Sequence, residues 1–213
     1  MTTWAIIPVK PLRESKRRLS HLLSVDERAD LILTFLDDLL LTLNAAPNID
    51  RVLVVSGDPL VATLAEKYGA LVLIESAPAG LNAAVARGAA HAVGAGAAAV
   101  LVLPADLPFV QVEDVEAMLR PLTGDRRPPK ERSLLAVCGD EADEGTNALL
   151  LAPPGDFTFR YGPGSFRAHL AEATERGRVT YTINAPGLRF DLDTESDWAV
   201  YCGLPVVGGI LNS

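Results

Sequence analysis

Short apolar runs alternate with longer stretches of helical period along the first half of the chain. WAIIPV (4–9), RVLVVS (51–56), ALVLIE (70–75) and AAAVLVLP (97–104) read as strands. The last is apolar on both faces, as expected of a parallel strand covered by helices on either side. Between them, helical patterns are predicted over about 26–45, 59–68 and 81–93. The first carries its own start signal: Ser24 with Glu27 three positions on, ahead of Leu31, Phe35, Leu36, Leu39, Leu40 and Leu43 at helical spacing. Asn44 and Pro47 mark its end.

The second half changes character. After a helix near 111–120, TGDRRPPKERS (123–133) is charged, proline-rich and without period, which predicts an exposed loop. SLLAVCG and TNALLLAP read as two strands joined by the acidic turn GDEADEG, and a helix follows YGPGSF (161–166). RVTYTI and LRFDL read as further strands, a last helix starts at Thr194, and GLPVVGGILNS forms an apolar tail suited to packing on the body or in a homodimer. Repeated strand and helix followed by a mixed half imply a three-layer α/β fold with a mostly parallel central mixed sheet. Length and 49% hydrophobic content are compatible with one domain over 1–213.

Charge narrows the class. A formal charge of −8 argues against a protein built to hold nucleic acid, which gains affinity by neutralising phosphates. Cys138 and Cys202 are far apart with no paired histidines, so neither a disulfide framework nor a zinc site is expected. The first apolar run is too short for a secretory segment and no stretch would span a bilayer, so the expected place is the cytoplasm. His21, His91 and His169 are scattered without evident partners and are expected to be structural or at the surface.

In open α/β sheets ligands bind beyond the carboxyl ends of the strands, which directs attention to four places. Just after the first strand, Lys10, Arg13, Lys16, Arg17 and Arg18 put five of 19 cations into nine residues, a polyphosphate grip or a solvated basic loop. Asp106 in LPADLP follows the most apolar strand, where a carboxylate suits magnesium, though a turn aspartate between prolines is the plainer account. Asp191 and Asp193 in FDLDT lie two apart, hence on one face of extended chain, and like charges held together call for a cation. Thr194 and Asp197 resemble a capping box and leave those two aspartates unexplained. Finally EGTNALLL and YGPGSF offer Thr146, Gly162 and Ser165 at a glycine-rich helix entry suited to an anion, with Ser165 otherwise a helix cap. Gly80 and Asn82 open the alanine-rich helix, Asn82 as a cap or as an amide for a nucleobase edge.

Taken together, PVKPLxxSKRRLS, GLNAA, LPADLP, EGTNALLL, YGPGSFRAH and FDLDT resemble the 2-phospho-L-lactate and phosphoenolpyruvate guanylyltransferases of coenzyme F-420 biosynthesis, from Pro8 to about Trp198. The resemblance implies a Rossmann-like nucleotidyltransferase fold of the GT-A type and transfer of GMP from GTP to a phosphorylated small acid. It also implies magnesium on Asp106, Asp191 and Asp193. Lys10, Lys16 and Arg17 stand where the wider class has a glycine-rich loop for the triphosphate. The nucleotide would meet Lys10, Arg13, Lys16, Gly80 and Asn82, and the acid Thr146, Gly162 and Ser165. Phosphoenolpyruvate, 2-phospho-L-lactate and 3-phosphoglycerate remain open as acceptors, as do molybdopterin or a sugar or alcohol phosphate, and a non-catalytic nucleotide-binding scaffold.

Overall fold

The computed structural model describes residues 2–77, 79–123 and 133–203. Seven strands form one sheet: β1 (Thr3–Pro8), β2 (Arg51–Ser56), β3 (Leu71–Ile74), β4 (Ala99–Val102), β5 (Leu134–Gly139), β6 (Thr146–Ala152) and β7 (Val179–Thr182). Their order is β3-β2-β1-β4-β6-β5-β7. Only β6 runs against its neighbours, β4 and β5; all other pairings are parallel. The mostly parallel mixed sheet expected from the alternation is therefore present. Within it, β3 is an edge strand and only partly buried, unlike the fully buried β1 and β4.

Helices cover both faces. On one side α1 (Val25–Ala45), α2 (Pro59–Lys67) and α4 (Val112–Thr123) pack on the alternate residues Ala5, Ile7, Val52, Val54, Leu101 and Leu150. On the other, α3 (Leu81–Gly94) and α5 (Ser165–Glu175) cover Ile6, Leu53, Val55, Val100 and Leu149. The period-two alternation of each strand thus feeds both layers, which is why its runs are apolar throughout. α1 buries Ile32, Phe35, Leu36, Leu39, Leu40 and Leu43, each contributing roughly 1.5–3 kcal/mol. Its Ser24 and Glu27 form the reciprocal capping box that their spacing predicts.

One strand-level expectation changes, and one irregularity is added that the periodicity does not show. LRFDL is not a strand: Pro186–Arg189 make one helical turn, α6, and extended chain follows. Proline at the first helical position fixes φ and lacks an N–H that would be unpaired there. Gly187, tucked against the Phe109 carbonyl and Asp114, has no room for a side chain, and its N–H donates to Asp114 Oδ1 at 3.2 Å. The alternation of Leu188 and Leu192 reflects burial in two different clusters, not pairing at a sheet edge. The added irregularity is a β-bulge: Cys138 faces Ala148, but Gly139 faces Thr146, leaving Asn147 extra. A bulge re-aims the side chains at a strand's end. A last helix, α7 (Glu195–Tyr201), begins with the Thr194–Asp197 capping box. Residues 124–132 of the expected loop and 204–213 of the apolar tail lie outside the described residues.

Replacing Ser24 by Ala removes the acceptor for the Glu27 N–H, which lies 3.2 Å from Ser24 Oγ. The expected cost is about 1 kcal/mol, read as a Tm lower by roughly 2–4 °C.

Candidate active site

The carboxyl ends of β1 and β4 open into a cleft of about 400 Å³ lined by Lys10, Lys16, Glu75, Gly80 and Asp106, among others. Lys16 is the pivot. The chain after β1 makes two short 3-10 turns, Leu12–Glu14 and Arg17–Leu19, and Lys16 stands between them in the left-handed region, with φ 49°. That backbone turn sends the side chain inward, so Lys16 is 3% exposed, whereas Lys10, Arg13, Arg17 and Arg18 are exposed. Its ammonium donates to Asp106 Oδ2 at 2.7 Å and Asp193 Oδ1 at 2.9 Å. Burial opposes the charge, but the carboxylates of Asp106 and Asp193 outweigh it and hold the Lys16 pKa above its ordinary value.

Three aspartates from two distant segments, Asp106 after β4 and the Asp191–Asp193 pair before α7, thus gather near one lysine. Asp191 accepts from Asn147 Nδ2 at 3.2 Å, the residue left over by the bulge. Burial and the neighbouring Asp106 charge push the Asp191 pKa up to about 6. Asp193 is also raised by burial, yet Lys16, Arg18 and Lys10 bring it net below the usual carboxylate range. Arg18 lies 3.8 Å from Asp193. Asp106 Oδ1 is buried with no hydrogen-bond partner. An orphaned carboxylate oxygen, a second carboxylate driven toward its protonated form and a third beside them are a hard-oxygen donor set short of positive charge, which fits magnesium. Among the described residues no three such groups already converge at metal-ligand spacing. Lys16 pairs with two of the three aspartates instead.

The second part of the site is the entry to α5. Gly162 has φ 133° and Gly164 φ 70°, conformations that side chains resist. These two glycines are therefore required by the backbone path of YGPGSF. Gly164, not Ser165, is the N-cap, and it makes no side-chain cap bond. The capping alternative for Ser165 does not hold: it is the first residue of the helix and is buried. Asn82 is likewise not a cap, since Gly80 fills that position. The Asn82 amide instead clamps Tyr161, accepting from its N–H at 2.7 Å and donating to its carbonyl at 3.0 Å. It ties α3 to the glycine-rich loop.

All three histidines have partners: His21 lies 3.2 Å from Glu195, His91 packs edge-on to Trp4, and His169 is fully buried. His169 Nε2 accepts from the Arg160 N–H at 2.9 Å, so its other nitrogen, 3.0 Å from Thr146 Oγ1, carries the ring proton. Burial, and then the Arg160 charge, lower its pKa to about 4, so the ring is neutral near pH 7. The Thr146 hydroxyl accepts from His169 and keeps its own proton to give. Asn147 and His169 lie inside EGTNALLL and YGPGSFRAH, but their contacts to Asp191, Thr146 and the Arg160 N–H follow from the fold and not from those stretches.

The cleft gathers Lys10, Lys16, Gly80 and Asp106; Lys16 ties Asp193 to it, and Asp191 is close enough to Asp106 to feel its charge. Arg13 and Arg17 are exposed and do not line it. Among the described residues no helix is long and apolar enough to cross a membrane.

Comparison with known proteins agrees with this architecture. Residues 3–201 match the family described as guanylyl transferase CofC like. A phosphoenolpyruvate guanylyltransferase of Sphaerobacter thermophilus is 38% identical over 98% of this chain and 96% of its own. One of Rubrobacter xylanophilus is 42% identical over 93% of each chain. A solved putative nucleotide-diphospho-sugar transferase of Desulfovibrio desulfuricans G20 superposes with TM-score 0.70 at 17% identity, covering 94% of this chain and 87% of its own. The glucosyl-3-phosphoglycerate synthase of Mycobacterium tuberculosis, solved with Mg2+ and UDP, gives TM-score 0.56 at 13% identity over 97% and 81%.

An acid whose folded pKa is raised to about 6 from an ordinary 3.8 weakens the fold as pH rises through that window, because the folded state resists losing the proton. Asp191→Asn in chelator is therefore expected to stabilise the protein at pH 7.5. After discounting for solvent screening, the gain is on the order of 1 kcal/mol. At pH 4 the gain should vanish. Thermal melts at the two pH values decide it, and an equal shift at both would contradict the assignment.

Proposed function

The chain belongs to the guanylyl transferase CofC-like family and is a nucleotidyltransferase, and on that premise we propose that it transfers GMP from GTP to the phosphate of phosphoenolpyruvate. The observation that carries this reading is the 38–42% identity, over nearly the whole chain, to enzymes named for that reaction. 2-Phospho-L-lactate is the second acceptor the resemblance suggests, and biosynthesis of coenzyme F-420 the use of either product. A phosphate oxygen of the acid attacks the α-phosphorus of GTP, a P–O–P bond forms, and the α–β bond breaks to release pyrophosphate.

In this reading, the triphosphate enters the cleft beside Lys10, with Arg13 and Arg17 adding positive potential at the rim. Asp106, Asp191 and Asp193 would hold magnesium. When bound, it would neutralise charge on the attacking and leaving oxygens. Lys16 then leaves its carboxylate partners for the phosphates, a compact cation passed from one anionic group to another. No side chain is needed as a base, because a phosphate monoester is already an anion at neutral pH. Catalysis is positioning and electrostatics. Thr146, with its hydroxyl proton free of His169, would donate to the acid alongside Gly162 and the Ser165 hydroxyl, at the positive end of the α5 dipole, which favours an anion. Gly80 leaves room for the nucleotide beside α3. Asn82 acts in this scheme through the loop it clamps, not on the guanine edge.

Purified protein with GTP, magnesium and phosphoenolpyruvate should release pyrophosphate; no release with any of the three candidate acids would remove the proposal. Asp106→Asn and Asp193→Asn should each lower kcat by about two orders of magnitude or more, measured by the same assay on folded protein. Ser165→Ala should raise KM for the acid about tenfold, the loss of a bond to a charged group, with KM for GTP unchanged. Equal loss for both substrates would place Ser165 outside the acid site.

A further inference from the structure

Glu75 is the first residue past β3, at the same carboxyl edge of the sheet as Lys10 and Asp106. In the strand order it lies two strands from β1 and three from β4, so roughly 10 and 14 Å across the sheet. It lines the same cleft as the cations, together with the apolar side chains of Leu81 and Ala84. One end of the cleft is thus cationic, suited to phosphates. The other is apolar with a single carboxylate, suited to a flat base that offers hydrogen-bond donors.

The carboxylate is held in place from behind. The Glu75 N–H donates to the Ser56 carbonyl at 3.1 Å, extending the β2–β3 ladder past its end. Gly57 lies directly against the Glu75 carbonyl, and a side chain at Gly57 would collide with it. From α3, Arg87 donates to Glu75 Oε1 at 3.3 Å and to the Ile74 carbonyl at 3.1 Å. Oε2 takes no hydrogen bond from the described residues. The Glu75 side chain is only 6% exposed, whereas that of Arg87 is 44% exposed. A single long pair to a half-exposed arginine contributes at most about 1 kcal/mol, less than burying a carboxylate costs. Stability therefore does not account for Glu75.

We propose that Glu75 selects guanine, its carboxylate accepting hydrogen bonds from the N1–H and the exocyclic 2-amino group of the base, with Arg87 as the positioning residue. An ionised carboxylate only accepts. Guanine presents two adjacent donors to it, while adenine places the bare N1 acceptor there, leaving buried lone pairs opposed and unpaired. The proposal rests on the guanylyltransferase reading and adds the residue that decides between purines. Gly57 and the β2–β3 ladder fix the backbone, and the arginine fixes one oxygen.

The test is direct binding of GTP, ITP and ATP with magnesium, by calorimetry, to the full chain and its variants. Inosine keeps N1–H but lacks the 2-amino group. The unmodified protein is expected to bind GTP roughly ten- to a hundredfold more tightly than ITP, as for a lost bond to a charged group, and ATP more weakly still. Glu75→Gln and Glu75→Ala, checked by thermal melts, should lose GTP affinity by a similar factor and bind GTP and ITP within about threefold of each other. Arg87→Met should narrow the GTP-to-ITP ratio, and Arg87→Lys should restore part of it. A folded Glu75 variant that keeps the original ratio overturns the proposal. So does unmodified protein that binds ITP as tightly as GTP, a measurement needing no variant. Absence of pyrophosphate release from unmodified protein would instead strike the parent reading, so the two failures are separable.

Discussion

A buried ammonium between two carboxylates organises the whole carboxyl edge of this sheet. Lys16 reaches Asp106 at 2.7 Å and Asp193 at 2.9 Å, and so joins the segments after β1 and β4 to the one that precedes α7. Its left-handed backbone, φ 49°, costs a non-glycine residue of order 1–2 kcal/mol. The surrounding structure must supply that energy, since ion pairs of this kind add little net stability after desolvation. Energy held in strain and desolvation at one place, beside an orphaned carboxylate oxygen, is what a site awaiting charged ligands looks like.

The remaining pieces are held by devices that each link two distant segments. A bulge in β6 turns Asn147 toward Asp191 and leaves Thr146 to His169. Arg189 anchors the chain leading to Asp191 on the acidic turn, donating to Asp143 at 2.9 Å and to the Glu141 carbonyl at 2.9 Å. Asn82 fastens the glycine-rich loop to α3. Within α5, Glu172 is held near pKa 2, because bonds from Arg160, Arg176 and the Thr158 N–H outweigh its burial. That network fixes Arg160, whose N–H in turn sets the tautomer of His169. The loop that would face a small acid is thus rigid at its root.

Asp191 shows the conflict between folding and chemistry at a single residue. Its carboxylate is partly buried near Asp106, which the Asn147 amide hydrogen bond and the Lys16 charge do not offset, and so resists ionisation. A folding optimum would place an asparagine there. A site for a divalent cation needs the charge, so the fold tolerates a destabilising group. At the other end of the cleft Glu75 is a second buried carboxylate, and the arginine of its one ion pair is half open to water.

Much of this was legible in sequence because it depends on local periodicity or on short-range geometry. Alternating apolar runs and helical spacing determined the strands, the layers and the mostly parallel sheet; Ser24 with Glu27 and Thr194 with Asp197 determined two helix starts; FDLDT singled out Asp191 and Asp193. Other features needed the tertiary structure because their partners lie 79 to 177 residues apart. Asn82 looked like a cap and Ser165 like another, since local chemistry favours both, yet glycines hold those positions and Asn82 is taken by Tyr161. LRFDL alternates like a strand, but no sheet edge is offered to it and Pro186 and Gly187 turn it into a helical turn. Of five cations in one run, sequence gave no means to choose Lys16. A left-handed backbone turn does so, burying one ammonium between two carboxylates while its neighbours remain in water.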